Sequence, residues 1–180
     1  MTPNRTPILW TMATTTRSKM ILIEDTRQKK SKHDNIKEYC EKEGIIIYPL
    51  TLHTGDYMFG EIENGRISPT GNISVDTKAD LVELCADLTK DEIAFNKKYR
   101  KCFDDKIKLY VLTEQKVMSL RQLAKWQNPH STINGRKLID KIYRLKFMFG
   151  IEFLFCDKSE TPKKIIDILS QKDIDKSLFI

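Results

Sequence analysis

Three residues in this 180-residue chain have types and spacings that could do chemistry together, namely Asp56, Asp76 and Lys78. If residues 73–78 form a strand, Asp76 and Lys78 point to the same face, because alternate residues of a strand share one side of a sheet. Asp56 follows Gly55 beside another extended run, and it could place a second carboxylate next to them. Two carboxylates that hold a divalent ion, together with a lysine, are suited to cleaving a phosphodiester.

The chemistry predicted for this set is metal-assisted hydrolysis. Mg²⁺ or Mn²⁺ would be held by Asp56 and Asp76, because a hard cation takes carboxylate oxygens together with water and substrate phosphate. Lys78 would orient or deprotonate the attacking water, or stabilise negative charge that builds on the phosphate. Asp25, which ends the first apolar run, is predicted as a third acid that binds a second ion or holds Lys78 in place.

An Asp-x-Lys pattern also has a purely structural explanation, because such pairs are common on strands and Gly-Asp is common in turns. Three features favour the chemical interpretation. Asp56 lies in a Gly-Asp pair, a predicted hairpin over residues 57–78 joins it to Asp76 and Lys78, and a helix is predicted to begin directly after Lys78.

The elements that must position these residues alternate between strands and helices. Turn residues at 63–65 and again at 69–71 predict that the hairpin has an elaborated tip. Apolar runs and helical periodicity predict the order β-α-β-β-β-α-α-β-α-α-β-α. This order favours an α/β fold of three layers, with a mixed central sheet flanked by helices. We expect residues 1–19 to be a disordered leader and residues 20–180 to form a single domain.

The amino-acid composition favours some classes of partner over others. Lys and Arg number 31 against 25 Asp and Glu, which gives a net charge of +6 and favours an acidic partner, nucleic acid before an anionic membrane surface. No apolar run approaches the roughly 18 to 20 residues that span a bilayer, so no membrane partner is expected. The four cysteines form no C-x-x-C pair, which is typical of reduced core residues in a cytoplasmic protein.

The motif resembles that of the PD-(D/E)XK nucleases, and within them the XPF-type structure-specific nuclease domain of small bacterial and phage members. Its signature is Gly-Asp, a spacer and Glu-Arg-Lys, for which Gly55-Asp56 and residues 76–78 stand here. Asp25 and Arg27 match the Asp-x-Arg pattern at the end of that family's first strand. The resemblance covers roughly residues 20–170. It implies a restriction-endonuclease-like fold and a Mg²⁺- or Mn²⁺-dependent endodeoxyribonuclease that cuts branched or flapped DNA.

The chain departs from the family pattern at several positions. Asp76 replaces the usual Glu and shortens the ligand arm by one methylene, and Thr77 replaces Arg. Gln28 replaces an acid after Arg27, and the acid expected four residues past the lysine falls on Val82. These departures leave a second hypothesis open, namely a catalytically weak or inactive DNA-binding or recruitment module of the same fold. A third hypothesis is a protein-interaction factor.

The resemblance also implies partners. Seven basic residues would follow the phosphate backbone, which supplies salt-dependent and sequence-independent affinity. They are Arg27, Lys29, Lys30, Lys97, Lys98, Arg100 and Lys101. The expected partner is DNA, as a branched duplex, in the cytoplasm of a bacterial or phage-infected cell. The apolar faces of the last helices could in addition form a homodimer or bind a partner protein.

Overall fold

The computed structural model describes residues 20–27, 34–89, 92–117 and 119–172, with the side chains of 92–95 left out. The predicted leader at residues 1–19 lies outside these ranges, and so do Lys29 and Lys30, two of the predicted DNA-binding residues. The four predicted catalytic residues all lie within the described ranges.

Strands and helices follow one another in the predicted order over the described residues. The strands are β1 (Ile21–Asp25), β2 (Ile46–Leu50), β3 (Tyr57–Glu63), β4 (Arg66–Lys78), β5 (Lys108–Thr113) and β6 (Glu152–Phe155). The helices are α1 (Asp34–Glu43), α2 (Leu81–Thr89), α3 (Glu92–Asp104), α4 (Leu120–Lys125), α5 (Gly135–Phe149) and α6 (Thr161–Leu169). The helix predicted directly after Lys78 is α2.

The strands form one mixed sheet in the order β2-β1-β3-β4-β5-β6. β3 runs antiparallel to both β1 and β4, whereas the β1–β2, β4–β5 and β5–β6 pairs are parallel. Pro49 lies in the edge strand β2, the type of strand to which proline is largely confined in sheets. The prediction of an α/β fold with a mixed central sheet is confirmed.

The two faces of the sheet bury different helices. Along β5, Val111 packs in a cluster with residues of α2, α3, α4 and α5, whereas the next residue, Leu112, packs in a cluster with α1 and α6. Since neighbouring strand residues point to opposite faces, helices cover both sides of the sheet. A smaller cluster around Ile21, Ile23 and Met58 contains residues of no helix. The β1 end of one face is therefore less thickly covered than the β4 end.

The tip of the β3–β4 hairpin differs from the prediction. Its turn lies at Asn64-Gly65, but the second predicted turn, at residues 69–71, lies inside β4. The ladder shifts there, because Tyr57 pairs with Val75 while Phe59 pairs with Thr70, so that β4 bulges. Gly71, with φ of +78°, supplies the backbone conformation that lets the strand absorb the extra residues and continue. After this bulge, β4 continues along β5 as far as Lys78.

Helix α5 is capped at both ends and packs closely against α4. In α5, Asn134 accepts a hydrogen bond from the backbone N–H of Lys137, and Gly150 ends the helix with φ of +66°. A Cβ on Gly135 would lie 1.7 Å from the backbone oxygen of Leu123, so α4 and α5 meet where only glycine fits.

All four cysteines are buried and free, and none of the described helices has the length and apolarity to cross a bilayer.

Candidate active site

The sheet topology brings the predicted acids to one edge. Asp25 ends β1, and Asp76 lies near the end of β4, while Asp56 immediately precedes β3. Because β3 is antiparallel to both neighbours, its beginning lies beside their ends. Backbone hydrogen bonds fix this arrangement: the N–H of Asp25 donates to the carbonyl of Asp56 at 2.9 Å, and the N–H of Asp56 donates to that of Val75 at 2.7 Å. The backbones carrying all three acids therefore meet at this edge.

Gly55 allows Asp56 to approach β4 closely. Its φ is +68°, and an added Cβ would lie 2.0 Å from Ser74 Oγ and 2.9 Å from the carbonyl oxygen of Val75. The Asp56 carboxylate then accepts two hydrogen bonds at its Oδ2, from the N–H and from the Oγ1 of Thr77, each 2.7 Å long. Thr77, which the sequence marked only as a departure from the family pattern, thus positions the first carboxylate.

Asp76 is held by two lysines. Its Oδ2 lies 3.0 Å from the Nζ of Lys78, which confirms that the two side chains share one face of β4. Its Oδ1 accepts a hydrogen bond of 2.6 Å from the Nζ of Lys98, which belongs to α3. The Asp76 side chain is 2% exposed, so both contacts replace lost hydration of a buried carboxylate. The sequence predicted Lys98 as a DNA contact and gave no signal for its pairing with Asp76.

Lys78 is paired on two sides. Besides Asp76, its Nζ lies 2.7 Å from the Oδ2 of Asp87 on α2, the helix that begins just after β4. Burial by itself would lower the pKa of Lys78, but the two carboxylates outweigh it and raise that pKa. Lys78 is therefore an ammonium at neutral pH. Asp87 was missed from the sequence, where it is one of several acids off the apolar stripe of its helix.

The pKa values of the two acids at β4 are pushed apart. Burial, followed by the charge of Asp76, raises the pKa of Asp56 to about 6, against the hydrogen bonds from Thr77. Burial acts on Asp76 in the same direction, but Lys98 and Lys78 outweigh it and lower the pKa of that carboxyl. At neutral pH Asp76 is firmly ionised, whereas Asp56 titrates within the physiological range. Such a separation is typical of paired carboxylates with different roles.

At the end of β1, Asp25 is held by a residue of its own loop. Arg27 donates to its carboxylate from the backbone N–H and from Nε, each at 2.9 Å, and the guanidinium also forms an ion pair with it. The same guanidinium donates to the carbonyl of Leu52 at 2.6 Å. Burial opposes the effect, but Arg27 lowers the pKa of Asp25. We call Asp25 and Arg27 the β1 pair, and Asp56, Asp76, Lys78, Asp87 and Lys98 the β4 cluster.

The predicted DNA-binding residues separate into two groups. Lys97, Arg100 and Lys101 are exposed on α3, and the Nζ of Lys101 lies 3.8 Å from the Oδ2 of Asp105, just past the end of that helix. Arg27 and Lys98 instead engage acids of the candidate site, although the Arg27 side chain remains 64% exposed. The exposed α3 residues therefore form a basic surface one turn or less from the residue that contacts Asp76.

The donor set fits one mode of metal binding. In the described ranges, no group of three or more His, Cys, Asp or Glu side chains is arranged to hold a metal ion. Asp56 and Asp76, however, are close enough for the charge of one to raise the pKa of the other. Mg²⁺ commonly binds through one or two carboxylates and completes its shell with water and phosphate, and two acids satisfy that requirement. An ion bound at Asp76 would have to share its oxygens with the lysines.

Comparison with known proteins identifies the fold. No protein-family model and no curated protein matches the chain. Among solved structures, XPF from Aeropyrum pernix matches with a TM-score of 0.59 and 14% identity, over 87% of this chain and 67% of that one. XPF from Aeropyrum pernix in complex with DNA matches with a TM-score of 0.55 and 15% identity, over 84% of this chain and 64% of the other.

The likeness shows that the chain has an XPF-like, restriction-endonuclease-like fold, as its motif predicted. The chain spans about two thirds of the length of these structures. Because identity is low, the assignment of individual residues depends on the geometry of this chain. That geometry brings Asp56, Asp76 and Lys78 together, and it places Asp25 beside Asp56 through the backbone while its carboxylate is engaged by Arg27.

Proposed function

We propose that the protein is a Mg²⁺- or Mn²⁺-dependent endodeoxyribonuclease that hydrolyses phosphodiester bonds in branched or flapped DNA. The observation that carries the proposal is the β4 cluster, where two carboxylates with separated pKa values and a charged lysine meet at the end of an XPF-like sheet. One of the similar structures is described as a complex with DNA, which supports nucleic acid as the substrate.

Each residue of the site has a distinct part in this proposal. Asp56 and Asp76 hold the metal ion, with Asp25 as a predicted further acid, and Thr77 orients Asp56 through its two hydrogen bonds. When bound, the ion supplies Lewis-acid polarisation of the phosphate and a water of lowered pKa. Lys78, whose pKa is raised, acts as a charged donor that orients the water or stabilises charge on the phosphate. Its raised pKa argues against a role as general base.

The DNA would lie along the exposed basic residues of α3, namely Lys97, Arg100 and Lys101, with Arg27 at the other side of the site. Contacts of this kind bind phosphates without reading bases, which suits an enzyme that recognises DNA shape. Lys29 and Lys30 remain predicted contacts of the same type. We place the protein in the cytoplasm of a bacterial or phage-infected cell.

The proposal is tested by cleavage of labelled linear, flap, fork and four-way DNA in Mg²⁺ and in Mn²⁺. Asp76→Asn and Lys78→Ala should each abolish cleavage, and Asp104→Asn, which removes an exposed carboxylate at the end of α3, should leave it intact. Asparagine is preferred at position 76, because it keeps the volume and an oxygen acceptor between the two lysines. Cleavage that survives both site substitutions would refute the assignment.

A second function is favoured by one observation, which is that both oxygens of Asp76 are engaged by lysines. A non-catalytic DNA-binding or recruitment module of the same fold would keep this internal neutralisation and need no metal. Calorimetric titration with Mn²⁺ separates the two functions. A nuclease site should bind the ion and lose that binding in Asp56→Asn, whereas the module should bind DNA in a salt-dependent manner without Mn²⁺.

A homodimer or partner protein is supported by the outer face of α5. The side chain of Phe147 is 93% exposed, and Tyr143 and Met148 are also exposed, although the helix buries Leu138 and Ile142 on its other side. An exposed aromatic cluster of this kind is typical of an interface. Light scattering during size exclusion should show a dimer that Phe147→Asp converts to a monomer. A monomer at all concentrations would instead favour a different partner protein.

A further inference from the structure

We infer that Lys98 is a displaceable internal cation, which occupies Asp76 until a DNA phosphate attracts it, so that metal loading is coupled to DNA binding. This inference rests on the proposed nuclease function. Its basis is the hydrogen bond of 2.6 Å from the Nζ of Lys98 to Asp76 Oδ1, which occupies one of the two oxygens that could bind a metal ion.

The two lysines at Asp76 differ in their freedom to move. Lys78 has a side chain that is only 9% exposed, and it is fixed between Asp76 and Asp87. The Lys98 side chain is 28% exposed and projects from a different element, α3. A flexible four-carbon stem lets a lysine keep its helix position while its ammonium moves. Lys98 is therefore the lysine whose ammonium can leave Asp76 while Lys78 still pairs with that buried carboxylate.

The position of Lys98 gives it an alternative partner. It lies next to Lys97 in sequence and three residues before Lys101, so it borders the exposed basic surface of α3. DNA bound at that surface would bring phosphate oxygens near Lys98, and an ammonium–phosphate hydrogen bond is charge-assisted, as is the bond that Lys98 makes to Asp76. The ammonium can then exchange one anionic oxygen for another.

Charge makes the exchange favourable only when both ligands are present. The β4 cluster contains three carboxylates and two ammonium groups. While Lys98 remains at Asp76, its ammonium would repel a divalent ion. Once Lys98 has moved to the phosphate, Asp76 Oδ1 is available as a ligand. Coupling between two ligands is reciprocal, so DNA should tighten metal binding and metal should tighten DNA binding by the same factor.

A purely structural role for Lys98 makes a different prediction. If Lys98 serves only to neutralise the buried Asp76 carboxylate, its removal should destabilise the fold and leave metal affinity unchanged or weaker. If it competes with the ion, its removal should tighten metal binding. Metal affinity, measured in the absence of DNA and without turnover, therefore separates the two roles.

The experiment measures Mn²⁺ affinity by the loss of the free-ion electron paramagnetic resonance signal in the full chain without DNA. The test variants are Lys98→Ala and Lys98→Gln, of which the second keeps a neutral donor for Asp76 should the first fail to fold. The matched control is Lys37→Ala, which removes the same charge from an exposed position of α1, on the other face of the sheet. We expect both Lys98 variants to bind Mn²⁺ about tenfold tighter or more, with the control within about twofold of the parent protein.

A second arm measures the coupling through fluorescence anisotropy of a labelled linear duplex. Mn²⁺ should tighten duplex binding by the parent protein and should have a smaller effect on Lys98→Gln. Mn²⁺ binding that depends on Asp76 but is equal or weaker in both Lys98 variants would overturn the inference and leave the proposed nuclease standing. Absence of Mn²⁺ binding in every variant would overturn both.

Discussion

The β1 pair and the β4 cluster begin from the same local pattern, an aspartate followed two residues later by a base, and they become different sites. In the β1 pair, Asp25 and Arg27 satisfy each other within one turn of chain, and the Arg27 side chain stays 64% exposed. In the β4 cluster, Lys78 is 9% exposed and Asp76 is also contacted by Lys98, so that the site is assembled from β4, α2 and α3.

The difference arises from what packs over each strand end. Helices α2 and α3 cover the face of β4 that carries Asp76, whereas the cluster on the Asp25 face of β1 contains residues of no helix. The Asp25 carboxylate is also buried, but Arg27 outweighs the effect of burial and lowers its pKa, whereas burial and the charge of Asp76 together raise the pKa of Asp56 to about 6. The two patterns differ in the basic partner, because Lys78 is buried between carboxylates of two elements whereas Arg27 is largely exposed.

The largest expected contrast is between Lys78→Met and Arg27→Met, which remove the base from each pattern. Lys78→Met leaves the buried Asp76 and the partly exposed Asp87 without the ammonium between them, and breaking a buried pair of this kind costs about 3 to 5 kcal/mol of unfolding free energy. Arg27→Met removes a largely exposed partner from a buried carboxylate and should cost less, about 1 to 3 kcal/mol. Urea unfolding of the two variants at pH 7 measures both values, and equal losses would contradict the contrast.

The next contrast concerns the carboxylates themselves, through Asp56→Asn. The pKa of Asp56 is about 6 in the fold, against an ordinary value of 3.8 for an aspartate, so the folded state binds this proton more tightly than the unfolded chain. The stability that the proton provides is fully present below pH 3.8 and is lost as pH rises through 6. Asp56→Asn removes this loss, because asparagine stays neutral and can still accept from Thr77.

Asp56→Asn should therefore raise unfolding free energy above pH 7 by on the order of 2 kcal/mol while abolishing cleavage. The matched variant is Asp25→Asn. The fold lowers the pKa of Asp25 instead of raising it, so this substitution should lower the unfolding free energy at neutral pH. Thermal unfolding between pH 4 and pH 8 compares the two variants with the parent protein. A destabilised Asp56→Asn at pH 8 would show that the carboxylate is not strained by burial.

A smaller effect is expected from Thr77→Val, which keeps the shape of the side chain and removes the Oγ1 donor to Asp56. Loss of a group that orients a metal ligand typically lowers metal affinity about tenfold or more. Thr26→Val, after β1, removes a hydroxyl that contacts only the exposed Thr51 hydroxyl in the described structure, and it should leave Mn²⁺ affinity unchanged. Equal effects of the two variants on Mn²⁺ affinity would show that Thr77 does not orient a metal ligand.

The smallest effects belong to the exposed basic residues. Lys97→Ala or Arg100→Ala should weaken binding of every DNA sequence alike and reduce the slope of log affinity against log salt by about 1 each. Anisotropy titrations from low to high salt measure the slope. A slope unchanged in both variants would place the DNA elsewhere on the protein.

The order of strands and helices could be predicted from the sequence, because apolar runs, helical periodicity and turn residues depend only on residues close together in the chain. The same locality explains the error at residues 69–71, where Pro69 and Thr70 pair with β3 and the bulge of β4 follows at Gly71. Only the tertiary ladder decides between a turn and a strand there.

At the site, Asp76 and Lys78 could be placed on one face because the period of a strand is local. The contacts made by Lys98 and Asp87 could not, since they depend on how α3 and α2 pack over β4. The role of Thr77 was also hidden, because a residue that departs from a motif gives no indication of the hydrogen bonds it makes instead.

Whether the β4 cluster is the active site is decided by the rate of Mg²⁺-dependent cleavage of a labelled flap DNA by Asp76→Asn, Asp25→Asn and the parent protein. If the β4 cluster performs the chemistry, Asp76→Asn should show no cleavage above background. Asp25→Asn should retain measurable activity, because its carboxylate is engaged by Arg27. Cleavage by Asp76→Asn at the parental rate would show that the active site lies away from β4.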